Sequence, residues 1–399
     1  MTVMDTRASP SSSSIPAAFT QLDGAEALGD ADVPHLLAYL AAIRDPRAPS
    51  GRRHPLAAIL AMAAAAVLTG ARFFAAIAEW AADAPQPVRA ALGARREAPD
   101  HWVVPSEATI RRSLSRLDAE VLARVIGAWL ADHGRPDQRR RAITVDGKTL
   151  RGARRDGRQV HLLSAMEHAS RVVLAQHQVD GAPGEVPGFQ PLLAGLELTG
   201  AVVTADALHT TREAAEFLVT VKHADYLFTV KANRPALLER CQRLAWHQVP
   251  VLDRTRDQAH GRVEIRTLKA VSVRGFGFPH TKQVIQVTRK VRDLGSRRWH
   301  TTTAYAVTSL VHAQASPARL ADYLRGHWSI EALHHVRDTT FAEDTSQVRT
   351  GSAPQVMAAL RNLAIGVLCR AGPVNLAAAL RHHSRNPYRP LATLGISIG

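Results

Sequence analysis

Cysteine is nearly absent: Cys241 and Cys369 are the only two in 399 residues, far apart and without CxxC spacing. They support neither a disulfide framework nor a thiolate metal site, and a reducing cytosol is the expected setting. No GxxxxGK(S/T) loop, no GxGxxG and no internal repeat occurs, so the common phosphate-cradling loops do not apply. No apolar core follows the N-terminal MTVMDTRASPSSSS, and no signal peptide is expected. One apolar run, PLAAILAMAAAAVLTGA (55–71), falls short of the ~20 residues that span a bilayer. It is mostly Ala and meets Arg72, so a buried helix is expected. Acids are also scarce, 35 Asp+Glu against 50 Lys+Arg, for a net charge of +15. That excess favours a polyanionic partner, nucleic acid being the commonest, although a general overuse of Arg would look the same. Residues 345–399 hold six Arg and no acid at all, which phosphate contacts explain more readily than solubility.

What is present reads as an α/β protein of two or three domains, with an apolar fraction of 46% that can fill a sizeable core. Residues 1–25 are Ser/Pro-rich and expected to be disordered. An all-helical N-terminal domain is expected over 26–138: LLAYLAAIRD, the Ala-rich run and FFAAIAEWAAD show 3.6-type spacing. In PSEATIRRSLSRLD, Ser106 is the expected N-cap, and Arg111, Arg112 and Arg116 line one side. That pattern suits a DNA-recognition helix and equally a solvated surface helix. After the basic linker RPDQRRR (135–141) the pattern changes to strands. RAITVDG, GRQVHLLSAMEH and RVVLAQHQVD are read as strands, FQPLLAGL as a helix and AVVTADA as a strand. REAAEFLVTVKH then reads as a helix and DYLFTVKAN as a strand, a mixed α/β order. A second strand-rich block, expected as a β-rich insertion over 255–312, alternates Lys and Arg with β-branched residues, as a half-exposed basic sheet would. Helices return at SPARLADYLRG, WSIEALHHVRDTTF and PQVMAALRNLAIGVLCRA. The expected divisions are therefore 139–254 with 313–372 as one domain around the insertion, and 373–399 as a basic tail.

Three acids stand out. Ile143–Thr144–Val145 leads into Asp146, and Val202–Val203–Thr204–Ala205 leads into Asp206, so each acid is expected at a strand end. Asp206 has a plainer reading as a turn residue capping the next helix. Glu331 sits beside Trp328, Ile330 and Leu333, where a lone carboxylate is costly. It could pair with His327 or His335 one turn away. His327, Glu331 and His335 also have i, i+4, i+8 spacing, but without the HExxH arrangement of a zinc site. Taken together, two strand-end aspartates and a helical glutamate suit a pair of Mg²⁺ ions, which prefer oxygen ligands.

The segments ITVDGKTLRG (143–152), TADALHT (204–210), DYLFTVKANRPAL (225–237), HGRVEIR (260–266) and RGHWSIEALHHVRDTTFAED (325–344) resemble bacterial DDE-type insertion-sequence transposases of the ISAs-type, H-repeat-associated branch. DPRAPSGRRHPLAAIL and NLAAALRHHSRNPYRPLATLGI resemble it too, so the likeness runs from about residue 33 to the C-terminus. The resemblance implies an RNase H-like mixed-sheet catalytic core with an all-β insertion. It makes Asp146, Asp206 and Glu331 the catalytic acids and the ligands of two Mg²⁺ ions, for which Mn²⁺ could substitute. The wider group carries a Tyr, Arg, Glu and Lys signature around the glutamate, from which this chain departs. His327 stands four residues before Glu331 and Asp338 seven after it, and Tyr323 and Arg325 are displaced.

Lys148 and Lys231, near the expected site, are candidates for contact with the scissile phosphate, or are ordinary solvated lysines. His260, Arg262, Glu264 and Arg266 alternate along one strand face, as a DNA-backbone grip or a salt-bridged face. Trp299, beside Arg297 and Arg298, could stack on an unpaired base or fill a core position. Arg325 joins Arg111 and Arg112 among the expected DNA contacts, with phosphate roles for Arg325 and Arg337 weakened by the departure from the signature. The expected function is a cytoplasmic, nucleoid-associated DNA transposase. It would bind the inverted repeats of its own element, cleave phosphodiester bonds and join 3′-hydroxyl ends to target DNA as a homodimer. A metal-dependent nuclease without joining activity, or an inactive DNA-binding relic, are the alternatives.

Overall fold

The computed structural model describes residues 35–133, 140–155, 157–179, 184–259, 261–370 and 375–398. The segment 1–25, most of the linker 135–141, and His260 lie outside the described residues. The chain begins with α1 (Leu36–Ala41), α2 (Leu56–Leu68), α3 (Phe74–Asp83) and α4 (Gln86–Ala91). Apolar on every side, α2 is a buried helix and not a span. No helix among the described residues is long and apolar enough to cross a membrane. A hairpin of β1 (Arg95–Ala98) and β2 (His101–Val103) follows, so the N-terminal segment is not all-helical as expected. β1 is charged and β2 is only three residues long, too short to show alternation, and the turn through Pro99 and Asp100 is the one local signal. Then come α5 (Glu107–Leu114), preceded by Ser106 as expected, and α6 (Ala119–Asp132). The Asp118 carboxylate accepts from the backbone N–H groups of Glu120 and Val121 at the start of α6.

The core is one nine-stranded mixed sheet. In chain order it comprises β3 (Ala142–Arg155), β4 (Arg158–Glu167), β5 (Val173–Val179), β6 (Val202–Ala205), β7 (Asp225–Val230), β8 (Asp253–Ala259), β9 (Arg262–Ser272), β10 (Gln283–Asp293) and β11 (His300–Thr308). Their spatial order is β5-β4-β3-β6-β7-β11-β10-β9-β8. Only β3–β6 and β6–β7 pair in parallel. The basic strand block is a continuation of this sheet, joined by the antiparallel β7–β11 pair. Edge strand β8 was not expected, because DRTRDQA has no apolar face to reveal it.

Between strands lie α7 (Glu185–Ala194), α8 (Arg212–Glu216) running into a π turn Phe217–Val221, and α9 (Pro235–Gln242). The C-terminal helices are α10 (Pro317–His327), α11 (Ser329–Thr339), α12 (Ala353–Arg370), α13 (Leu376–Ser384) and α14 (Arg389–Thr393). The main hydrophobic core joins the N-terminal helices to the sheet: Ile126 of α6, Leu174 of β5 and Leu360 of α12 share it. On one face of the sheet, Ala142, Val202, Leu227 and Ile285 form a second core with Leu320 and Tyr323 of α10. That burial presses the α10–α11 segment onto the middle of the sheet, where the candidate site lies.

Candidate active site

Asp146 does not end its strand. β3 passes through it, with Asp146 opposite Ser164 and Lys148 opposite Leu162 of β4, because β4 offers a partner well beyond the point where β6 stops. On the other side Val145 pairs with Ala205, the last residue of β6. Asp206 therefore follows Ala205 on the neighbouring strand at the level of Asp146, where two parallel strands part. The plainer reading of Asp206 also holds: its Oδ1 accepts from Leu208 N–H at 2.9 Å, capping a short turn Ala207–His209. Burial pushes the Asp146 carboxyl up to about 7, helped by the charges of Asp206, Glu185 and Glu331 and opposed by a backbone hydrogen bond at Gly147. The acids thus act on one another across a single small region. Among the described residues, no three His, Cys, Asp or Glu side chains close around one point as a finished metal site.

Glu331 is exposed and has no ion pair with His327 or His335 among the described residues. Trp328 beside it is 58% exposed, so the crowded apolar setting expected for this acid is not found. The reason is rotation: Ile330 and Leu333 point into the core while Glu331 does not. What faces the sheet is a polar stripe. His327 Nδ1 lies 2.8 Å from Thr144 Oγ1, and His334 Nδ1 lies 3.5 Å from Asp146 Oδ2. The Lys148 ammonium donates to both oxygens of Asp338, at 2.7 and 2.6 Å. Residues 144, 146 and 148 share one face of β3 by the two-residue period. At 3.6 residues per turn, positions 331, 334 and 338 of α11 fall within about 60° of one another, while His327 closes α10 just before it. Glu331 belongs to this stripe and so is carried on the same side as Asp146.

Several residues here were not singled out from the sequence. Glu185, at the start of α7, is 2.7 Å from His161 Nε2, and His161 Nδ1 is 2.8 Å from Thr149 Oγ1. His209 Nε2 stands 3.3 Å from the other Glu185 oxygen, at an angle outside hydrogen-bond geometry. Burial alone would raise the Glu185 carboxyl, but the two imidazoles outweigh it and hold it at about 2. Gly147 makes this approach possible: a Cβ there would overlap Glu185 Oε1 and stand 2.6 Å from His161 Nε2. His168 Nε2 is 2.9 Å from Thr204 Oγ1, the strand neighbour of Thr144. Burial, with the nearby His327, takes the His168 imidazole down to about 4. The His327 imidazole also falls to about 4, chiefly by burial; Asp206 opposes the shift and Lys231 and His209 add to it. The only sequence signal for this group was the density of His in QVHLLSAMEH, ALHT and RGHWSIEALHH, which names no partner.

The basic candidates divide. Lys148 is 8% exposed and paired, which is neither a free phosphate contact nor a solvated lysine. Lys231 is exposed and close enough to act on His327. Arg266 and Arg289 both pair with Glu264, so the salt-bridged form of that face is present, while Arg262 is exposed. Trp299 is 37% exposed with Arg292 over its ring at 5.1 Å, away from any core. Arg325 pairs with Asp322, Arg111 lies 3.4 Å from Glu107, and Arg112 is exposed, donating to Ala108 O. Arg337 is fully buried, its Nη2 2.7 Å from Glu343, so it touches no phosphate in this arrangement. In the acid-free C-terminal stretch Arg361 is likewise buried against Glu343, so phosphate contacts do not account for all six arginines there.

The mixed sheet thus brings Asp146 and Asp206 to one level where parallel strands β3 and β6 part. Residues 137–366 match the family model described as Transposase DDE domain, more than half of the chain, and residues 37–130 match its DDE_Tnp_1-associated companion. The chain belongs to the DDE transposase family. Its relatives include the putative transposase YncI of Escherichia coli O157:H7, 26% identical over 84% of this chain and 87% of that protein. The H repeat-associated putative transposase YhhI of Escherichia coli K12 is 25% identical over 66% of this chain and 73% of its own length. Among solved structures, a piggyBac transposase synaptic complex with hairpin DNA aligns over 88% of this chain and 76% of its own, at 9% identity and a TM-score of 0.41.

Proposed function

We propose that this transposase has an RNase H-like catalytic core, binds the terminal inverted repeats of its own element as double-stranded DNA, cleaves phosphodiester bonds there and joins the 3′-hydroxyl ends to a target. The observation that supports this most is the placing of Asp146 and Asp206 at neighbouring levels of two parallel strands, with Glu331 on the helix stripe that faces them. A carboxyl raised to about 7 by burial and three neighbouring acids is a site short of positive charge. The donors are hard carboxylate oxygens, which suit Mg²⁺ or Mn²⁺. Two such ions would neutralise the scissile phosphate and activate water or a 3′-hydroxyl for in-line displacement. Asp146, Asp206 and Glu331 are the residues assigned to hold them.

The chain's other residues then have separate tasks. Asp206 keeps one oxygen on Leu208 N–H, which holds its carboxylate in place at the end of β6. Neutral His327 and His168, each on a threonine of the sheet, add no charge to the site at neutral pH. Exposed Lys231 at the end of β7 is free to meet the DNA backbone. Arg262 and Arg266 on an outer strand and Trp299 just before β11, with Arg111, Arg112 and Arg325 on helices, are assigned to flanking DNA; His260 completes that set from the sequence alone. Pairing two element ends calls for a homodimer or larger assembly acting at the bacterial nucleoid.

The test is a labelled duplex of the element's end incubated with wild type, Asp206→Asn and Glu331→Gln, with and without Mg²⁺ or Mn²⁺. Metal-dependent terminal cleavage and joining, lost in both variants while DNA binding persists, is the expected result. Cleavage that survives both substitutions would refute the assignment.

A further inference from the structure

We infer that Lys148 and Asp338 form a positioning pair that sets the axial register of α11 on β3, and so the place of Glu331 opposite Asp146. The inference rests on the catalytic reading of those acids. Arg337 ties α11 to Glu343 and not to β3, and apolar packing of the helix is thin, with Ile330 and Leu333 buried and Val336 half-buried. Burial of that kind is non-directional, so a shift of the helix along the strand changes it little. The polar contacts are directional. Thr144–His327 holds the end of α10, and along α11 Asp146–His334 and Lys148–Asp338 follow in the order of the strand. Asp146 to Lys148 covers about 7 Å of strand and His334 to Asp338 about 6 Å of helix, so the two rows run side by side. Lys148 Nζ reaches both Asp338 oxygens and stands 3.7 Å from Asp344, from a strand position that is 8% exposed. A buried ammonium that donates to both oxygens of Asp338 resists slip, since separation would leave it only the longer contact to Asp344. Glu331, two helical turns before Asp338, moves with it.

A double-mutant cycle tests this, with Lys148→Met, Asp338→Asn and the double variant compared with wild type. Lys148→Arg serves as the conservative control. Two quantities are read: the rate of metal-dependent cleavage of an end duplex, and Mn²⁺ binding to the DNA-free protein by calorimetry. Each single substitution is expected to slow cleavage by about 10- to 100-fold and to weaken Mn²⁺ binding, with duplex affinity within about twofold. The double variant is expected to be no worse than the poorer single one, and Lys148→Arg to recover most of the loss. Additive losses in the cycle would overturn the inference. So would a Lys148→Met protein that keeps wild-type Mn²⁺ binding but loses duplex affinity and about one unit of its salt slope, the mark of a direct phosphate contact. Thermal melting identifies a variant that has not folded; Asp338, with 31% of its side chain exposed, is the safer single site, and Thr144→Val probes the other end of the row. If wild type cleaves no end duplex, the functional reading fails, while the Mn²⁺ measurements still decide whether the pair sets the site.

Discussion

Asp146 carries a large electrostatic consequence for a single side chain. Its carboxyl is near 7 in the folded protein and near 4 once unfolded, so the native state holds the extra proton between those values. Stability of the cation-free protein should therefore fall as pH rises from about 4 to 7. Asp146→Asn should stabilise the cation-free protein more at pH 8 than at pH 5, by a difference on the order of 2–3 kcal/mol, and millimolar Mn²⁺ should remove the advantage. Equal melting shifts at both pH values would show that this carboxyl is ordinary. Glu185 has the opposite sign. Held at about 2 by His161 and His209, it stabilises the fold above its unfolded value and loses that contribution as pH falls. Glu185→Gln should cost about 2–3 kcal/mol at pH 7 in chemical denaturation, with the gap to wild type closing below about pH 4.5.

Elements meet the site through buried charge as well as through the polar row on β3. Glu343 accepts from Arg337 Nε at 2.8 Å and from Arg361 Nη1 at 2.8 Å, and all three are almost wholly enclosed. Burial works against ionisation of Glu343, yet the two guanidinium groups hold its carboxyl below the ordinary range. This triad ties α11 to α12, and Arg361 extends it to the carbonyl of Arg72 in the N-terminal segment. Glu343→Gln would leave two buried cations with one neutral partner, and a loss of about 3–5 kcal/mol is expected. A melting shift of only a degree or two would mean that water reaches the arginines. At the α10–α11 join, Gly326 fits because a Cβ there would overlap Nδ1 of His168 and stand 2.8 Å from its Cε1. Gly326→Ala should displace either the imidazole or the helix end, and slow cleavage more than it weakens DNA binding.

At the scale of the whole molecule, the excess of 50 basic over 35 acidic residues is partly consumed within the fold. Lys148, Arg337 and Arg361 are buried with carboxylates. The rest leaves a basic exterior, with most of β8 and the first half of β11 exposed and the outer parts of β9 and β10 largely half-buried. Binding to an end duplex should weaken with salt at a slope of about −0.9 per phosphate neutralised, with several phosphates involved. Arg262→Ala and Lys231→Ala should each reduce the slope by about one unit. Arg361→Ala should leave the slope alone and lower the melting temperature instead. An unchanged slope in the first two would remove the outer strands and the end of β7 from the DNA interface.

The sequence by itself determined the succession of elements, because apolar periodicity and turn residues are local properties. The strands around Asp146 and Asp206, the helix after Thr210, and the separate helices around Trp328 were all legible this way. The charged hairpin Arg95–Val103 and edge strand β8 were not, since neither has an apolar face and each exists only because another strand pairs with it. The same limit holds at the site. Two acids after apolar runs could be named from the chain, but not that β3 continues through Asp146, which depends on β4 lying beside it. Nor could the chain show that Lys148 meets Asp338 across 190 residues, or that Glu185 reaches beneath Gly147. Those pairings are decided by tertiary structure, because burial alone makes an unpaired charge costly enough to dictate its partner.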